Sequence, residues 1–178
     1  MNLIYYKKTM KLIYKKIPPN DYLNYRSLRL ESLKLNPEAF ESDYEEALTE
    51  PQLHFEKIIK KDDASKFVTG AYFEGELVGI CAFVDYNNHD VISAGTLIQM
   101  YVTPKFRGNN ICFNLIDTVT HYVLNIPHID KIMLEVKETN HSAVKVYKKM
   151  DFNFLASDSM SNTLIMIKNI FVDHLYSN

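Results

Sequence analysis

Hydrophobic and polar positions change period several times along this chain, and each change marks an element. Residues 10–16 alternate, as a strand with one buried face does. Pro18, Pro19, Asn20 and Asp21 then read as a turn leading into a helix cap. Tyr22, Tyr25, Leu28, Leu30, Leu33 and Leu35 recur at near-helical spacing. Asn36-Pro37 stops that helix, because the residue before a proline avoids the helical region. Residues 38–50 are an acidic connection with helical potential, and Pro51 opens a short helix through Leu53, Phe55, Ile58 and Ile59. Strands are predicted next at residues 66–73, 77–86 and 93–102. Glu74-Gly75-Glu76 makes a tight hairpin between the first two, and Asn87-Asn88-His89-Asp90 is a polar loop before the third.

Farther on, a helix over residues 108–125 buries Ile111, Leu115, Val119 and Tyr122 or Val123, and Pro127 blocks its continuation. Residues 131–136 read as a strand. A helix follows from Asn140 or His141 to Met150, with Val144, Tyr147 and Met150 on one side. Residues 152–157 and 162–168 make a closing strand pair, while the tail from residue 169 is ambiguous. No linker divides the chain. The order predicts one α+β domain over residues 1–178, with a mixed, mainly antiparallel twisted sheet of six to seven strands and about four helices. Leu3-Ile4-Tyr5-Tyr6-Lys7-Lys8 is nearly repeated as Leu12-Ile13-Tyr14-Lys15-Lys16. Chance in a Lys- and Tyr-rich stretch explains it; alternatively Met10 is the working start and residues 1–9 are a loose extension.

Composition narrows the function. With 178 residues, 47% of them apolar, the chain can bury a substantial core. Twenty Lys and Arg against 22 Asp and Glu, with no long basic run, argue against a nucleic-acid binder. The longest apolar run, about residues 77–84, is far short of a membrane span, and no apolar stretch follows Lys7 and Lys8 to make a secretory signal. Cys81 and Cys112 form no CxxC pair or disulfide framework, which fits a reducing, cytoplasmic setting. His54, His89, His121, His128, His141 and His174 show no metal-ligand spacing, and no metal is expected.

Chemistry concentrates after residue 99. A strand ending in Met100, Tyr101 and Val102 passes through Thr103-Pro104-Lys105-Phe106 into Arg107-Gly108-Asn109-Asn110-Ile111-Cys112, where a helix begins. The first amides of a helix lack internal partners and favour anions, and Arg107 adds a planar cation suited to phosphate. Taken alone, the hexapeptide reads equally well as a plain Asn-capped turn. A second element strengthens the first. Asn140 caps the next helix and Tyr147 stands two turns along it, where a phenol can act as an acid or simply fill a core position.

These two segments, Val102 to Cys112 and Asn140 to Phe152, resemble the GNAT superfamily of acetyl-CoA-dependent N-acetyltransferases. The likeness extends to Arg26-Ser27-Leu28-Arg29-Leu30-Glu31-Ser32-Leu33, to Asn36-Pro37-Glu38-Ala39-Phe40, and to the order of elements. It implies acetyl-CoA as co-substrate. The backbone of Met100, Tyr101 and Val102 would run beside pantetheine, in a slot opened by a bulge. Amides of Arg107, Gly108, Asn109, Asn110, Ile111 and Cys112 would hold pyrophosphate, and Asn140 would touch the pantetheine amides. Tyr147, the catalytic acid, would protonate the departing thiolate, while a primary amine of a small molecule or peptide attacks directly. Three positions depart from the family pattern: Asn110 and Asp151 replace glycines, and Cys112 replaces a small Gly or Ala. Asn and Asp tolerate positive φ, so the departures bear on cofactor affinity more than on fold. Cys112 reads as a packing residue, not a nucleophile.

No general base is evident. Glu135 is a candidate, though pairing with Lys137 or a backbone amide is the plainer role for it. The acidic run Glu38, Glu41, Asp43, Glu45, Glu46 and Glu50 reads either as a solvated face or as a rim that attracts a cationic acceptor. A domain that keeps the fold but serves as a CoA sensor or interaction module is the alternative function. Both monomer and homodimer are compatible with the sequence.

Overall fold

The apolar run at residues 77–84 becomes the most buried strand of the fold. In the computed structural model, which describes residues 11–86 and 93–170, this strand is β3 (Glu76–Val84), buried continuously from Val78 to Val84. Continuous burial requires cover on both faces, and helices supply it. With β1 (Leu12–Lys16), β2 (Lys66–Phe73), β4 (Ala94–Val102), β5 (Lys131–Lys137), β6 (Asn153–Asp158) and β7 (Thr163–Asn169), it forms one seven-stranded sheet ordered β1-β2-β3-β4-β5-β7-β6. Neighbours are antiparallel except β4 and β5, which run parallel.

On one face lie α1 (Tyr22–Leu35), α2 (Tyr44–Thr49) and α3 (His54–Lys61). Tyr25 and Leu28 of α1 and Phe55, Ile58 and Ile59 of α3 pack there on Val68, Ile80, Ala82 and Tyr101. The other face carries α4 (Ile111–Val123) and α5 (His141–Lys149), whose Ile111, Leu115, Val119, Val123 and Tyr147 join Cys81, Phe83 and Leu134.

Several elements differ from expectation. The helical potential read in the acidic connection is realised as α2, which Asp43 caps by accepting from the Glu46 amide at 3.0 Å. This makes five helices instead of about four. The third helix starts at His54, not Pro51, with the Glu56 carboxylate folding back onto the Leu53 amide. Asp21 does not cap α1 through its side chain, because its carboxylate accepts from Asn24 and Tyr72 instead. The fourth helix begins at Ile111, leaving Gly108 to Asn110 as loop. The readings made for residues 1–9, the loop at 87–90 and the end of the tail fall outside the described residues.

Candidate active site

The site begins with a slip in the sheet. Ile80 of β3 faces Tyr101 and Ala82 faces Ile98, so Gln99 and Met100 together oppose the single residue Cys81. Gln99 takes a left-handed φ of 55°, as a bulge demands. Tyr25 of α1, 1% exposed, fixes the bulge by donating its hydroxyl to Gln99 Oε1 at 2.8 Å. Pairing of β4 with β5 ends at Leu97 opposite Leu134. Beyond that point Glu135, Val136 and Lys137 pair with β7, and the parallel strands part. The resulting cleft is about 680 Å³, with Met100, Glu135, Asn140 and Tyr147 among its walls.

The start of α4 is set close against the sheet. Gly79 of β3 allows this, since a Cβ there would lie 3.2 Å from Ile111 Cγ2. Gly108 (φ 81°) and Asn110 (φ 57°) both take the left-handed region, so Asn110 adopts the conformation expected of the glycine it replaces. The Asn109 side chain donates to the Phe106 carbonyl at 3.0 Å and ties the loop. No acceptor among the described residues takes the backbone N–H of Gly108, Asn109, Asn110, Ile111, Cys112 or Phe113. Space around Gly108 is open. A run of free amides at a helix start suits a diphosphate by hydrogen bonding and by the helix dipole.

The second element is equally defined. Asn140 Oδ1 caps α5, accepting from the Ala143 amide at 3.2 Å and the Ser142 hydroxyl at 3.0 Å, which leaves its amide NH₂ to the cleft. Tyr147 is 6% exposed, lines the cleft, and its hydroxyl bonds to none of the described residues. Burial pushes its pKa well up, reinforced by the nearby thiols of Cys112 and Cys81, so the phenol stays protonated. Ile111 and Tyr147 belong to one buried core, and Cys112 packs against it. The Cys112 thiol is itself pushed up to about 11 by burial, which suits a packing residue and not a nucleophile. Asp151 ends α5 with φ 66°, and the Phe152 amide returns to the Tyr147 carbonyl at 3.1 Å, a left-handed cap made without glycine.

Other candidates have different surroundings. The Arg107 guanidinium is spent on the protein, with Nε donating to the Val102 carbonyl at 3.0 Å and Nη2 to Asn36 Oδ1 at 3.1 Å. Tyr101 points to the α1 side, donating to Glu31 Oε1 at 2.8 Å. Its pKa is pushed up to about 12 by burial and by that carboxylate. The pairing of Glu135 with Lys137 does not form, because Lys137 Nζ donates to the Ser161 carbonyl at 2.9 Å; Glu135 stands exposed in the cleft wall. The sequence reading put Tyr25 on the apolar face of α1 without its tie to Gln99, and gave Arg29 no role in the cleft. Their signal was a polar stripe, Tyr25, Arg29 and Ser32, on the buried face of α1, where Leu35 had been expected but is 51% exposed.

Among the described residues there is no cluster of three metal-ligating side chains, and no helix is long and apolar enough to cross a membrane. A splayed parallel pair, a helix start with free amides and a capped helix bearing a buried phenol together make up the site. The chain belongs to the acetyltransferase (GNAT) family, whose sequence pattern matches residues 30–152. It is 20% identical over 104 residues to the spermine/spermidine N(1)-acetyltransferase of Bacillus subtilis (strain 168), covering 57% of this chain and 68% of that one. Among solved structures it is similar to an acetyltransferase of the GNAT family from Streptococcus pneumoniae, with TM-score 0.76 and 18% identity over 90% of this chain and all of the other. It is also similar to the PaiA N-acetyltransferase of Thermoplasma acidophilum in complex with coenzyme A, with TM-score 0.69 and 18% identity over 90% and 99% of the two chains.

Proposed function

We propose that this protein transfers the acetyl group of acetyl-CoA to a primary amine of a small molecule or peptide. The carrying observation is the row of free amides at residues 108–113, where a helix that shares its core with Tyr147 begins, together with the cleft walled by Asn140 and Tyr147. The residues fit the co-substrate. Amides and the open space at Gly108 suit pyrophosphate, the unpaired edge of β4 past Leu97 suits an extended amide-bearing arm, and Asn140 offers a side-chain donor.

Acetyl-CoA supplies a thioester: the amine nitrogen bonds to its carbonyl carbon, the C–S bond breaks, and the thiolate must take a proton. In this reading Tyr147 gives that proton, and its burial and neutral phenol support the role. The amine proton leaves through water or through Glu135, whose carboxylate is in the cleft wall. The remainder of catalysis is positioning, because both reactants are held against rigid strands. Glu38 and Glu41 line the outer cleft and favour an ammonium-bearing acceptor. The free thiols Cys81 and Cys112 support a cytoplasmic location.

The test is release of free thiol from acetyl-CoA across a panel of amines. Release that needs both substrates is the expected result. Binding of acetyl-CoA without release by any amine would favour a CoA sensor, the reading to which the bulkier Cys112 lends some weight.

A further inference from the structure

Arg29 is a buried cation with no counter-ion among the described residues. It is 5% exposed, lies one turn beyond Tyr25 on α1, and lines the same cleft as Met100, Glu135 and Tyr147. Among the described residues its guanidinium reaches hydroxyls alone, Nη1 to Ser32 Oγ and Nη2 to Ser42 Oγ, both at 3.4 Å, and stacks on the Phe40 ring at 4.6 Å. Good N–H···O bonds are shorter, and Ser32 Oγ already donates to the Arg29 carbonyl at 2.7 Å. Arg26, on the same helix, shows the contrast: it is held by Glu56 at 2.9 Å and by the Glu50 carbonyl at 2.7 Å. The ion pairs among the described residues all lie away from Arg29. Burial lowers its pKa, and the opposing influence is the Tyr25 phenol, not a carboxylate.

A desolvated charge without a partner is costly in a folded protein, and a ligand of opposite sign relieves that cost. The planar fork of Arg matches a carboxylate in two parallel bonds. We propose that the acceptor is an amine that also carries a carboxylate, bound by Arg29 at the inner wall of the cleft. Its ammonium end then faces Glu38, Glu41 and Glu135, which line the same cavity. The acceptor is amino-acid-like. A plain polyamine leaves Arg29 unpaired and adds like charge beside it. This inference rests on the amine-acceptor reading above and narrows it.

Matched pairs that differ by one carboxylate test it: L-ornithine and putrescine, L-lysine and cadaverine, 4-aminobutanoate and propylamine. Binding to the CoA-saturated protein is measured by calorimetry, and thiol release from acetyl-CoA is measured separately. At least tenfold tighter binding of the carboxylate member in one or more pairs is expected, with that preference collapsing to within twofold in Arg29→Gln and partly kept in Arg29→Lys. No carboxylate preference in any pair, or a preference that survives Arg29→Gln, overturns the inference. Thiol release with diamines alone would keep the transferase and remove the carboxylate; carboxylate-selective binding without thiol release would keep the Arg29 site and remove the transferase.

Discussion

The Tyr25 hydroxyl donates to Gln99 Oε1 at 2.8 Å, across 74 positions of sequence. One buried hydrogen bond thereby ties α1 to the bulge in β4, next to where β4 and β5 part. The bulge holds Gln99 at φ 55°, which a non-glycine residue accepts only under constraint.

Tyr25→Phe removes the donor and strands the Gln99 amide oxygen. A loss of about 1–2 kcal/mol in unfolding free energy is expected, together with weaker CoA binding as the bulge relaxes. Urea unfolding and a CoA titration of the same variant check both.

Asn110 holds a left-handed conformation without any side-chain cap bond. Asn110→Ala is expected to cost about 1 kcal/mol, because alanine resists this region, while Asn110→Gly stays within about 0.5 kcal/mol of the parent. Denaturant midpoints of the two variants measure the difference.

Tyr147→Phe keeps the ring contact with Phe152, a tilted edge packing at 5.9 Å between centroids, and deletes only the hydroxyl. Turnover should fall by about 10²-fold, within the range of a lost proton donor, with CoA affinity nearly intact. Unchanged thiol release in this variant would remove the acid role.

Alkaline pH should destabilise the fold. Burial raises the pKa of Tyr25, Tyr72, Tyr147 and Cys81, takes Cys112 up to about 11, and takes Tyr101 up to about 12. Each group is therefore kept neutral in the fold, and the unfolded chain loses its protons first, near pH 8.5 for Cys and near 10 for Tyr. The stability they contribute is complete below about pH 8.5 and declines through pH 11 and beyond. Melting temperatures across pH 7–11 should be level to about pH 8 and then fall; a level curve to pH 11 would contradict the burial of these groups.

How much of this was legible in the sequence follows from which forces are local. The strand at 66–73 and the turn at Glu74-Gly75 were readable because strand propensity and positive φ are short-range, and Glu74 and Gly75 both adopt positive φ. The left-handed roles of Asn110 and Asp151 were legible for the same reason. The start of α2 was less so, since it depends on one Asp43 cap within a run of acids. Long-range ties stayed hidden. Nothing near Arg107 signals that Asn36, 71 positions earlier, would take its guanidinium. The apolar face read for α1 included Tyr25 and Leu28 but not Arg29 and Ser32, which are buried beside them.

The central claim is that the amides at residues 108–113 grip the diphosphate of CoA. Amide NMR of ¹⁵N-labelled protein titrated with CoA tests it most directly. Saturable shifts are expected to be largest at Gly108 to Phe113, with a second group at Gln99 to Val102. Saturable binding that leaves those amides unmoved, or no binding at millimolar CoA, would contradict it.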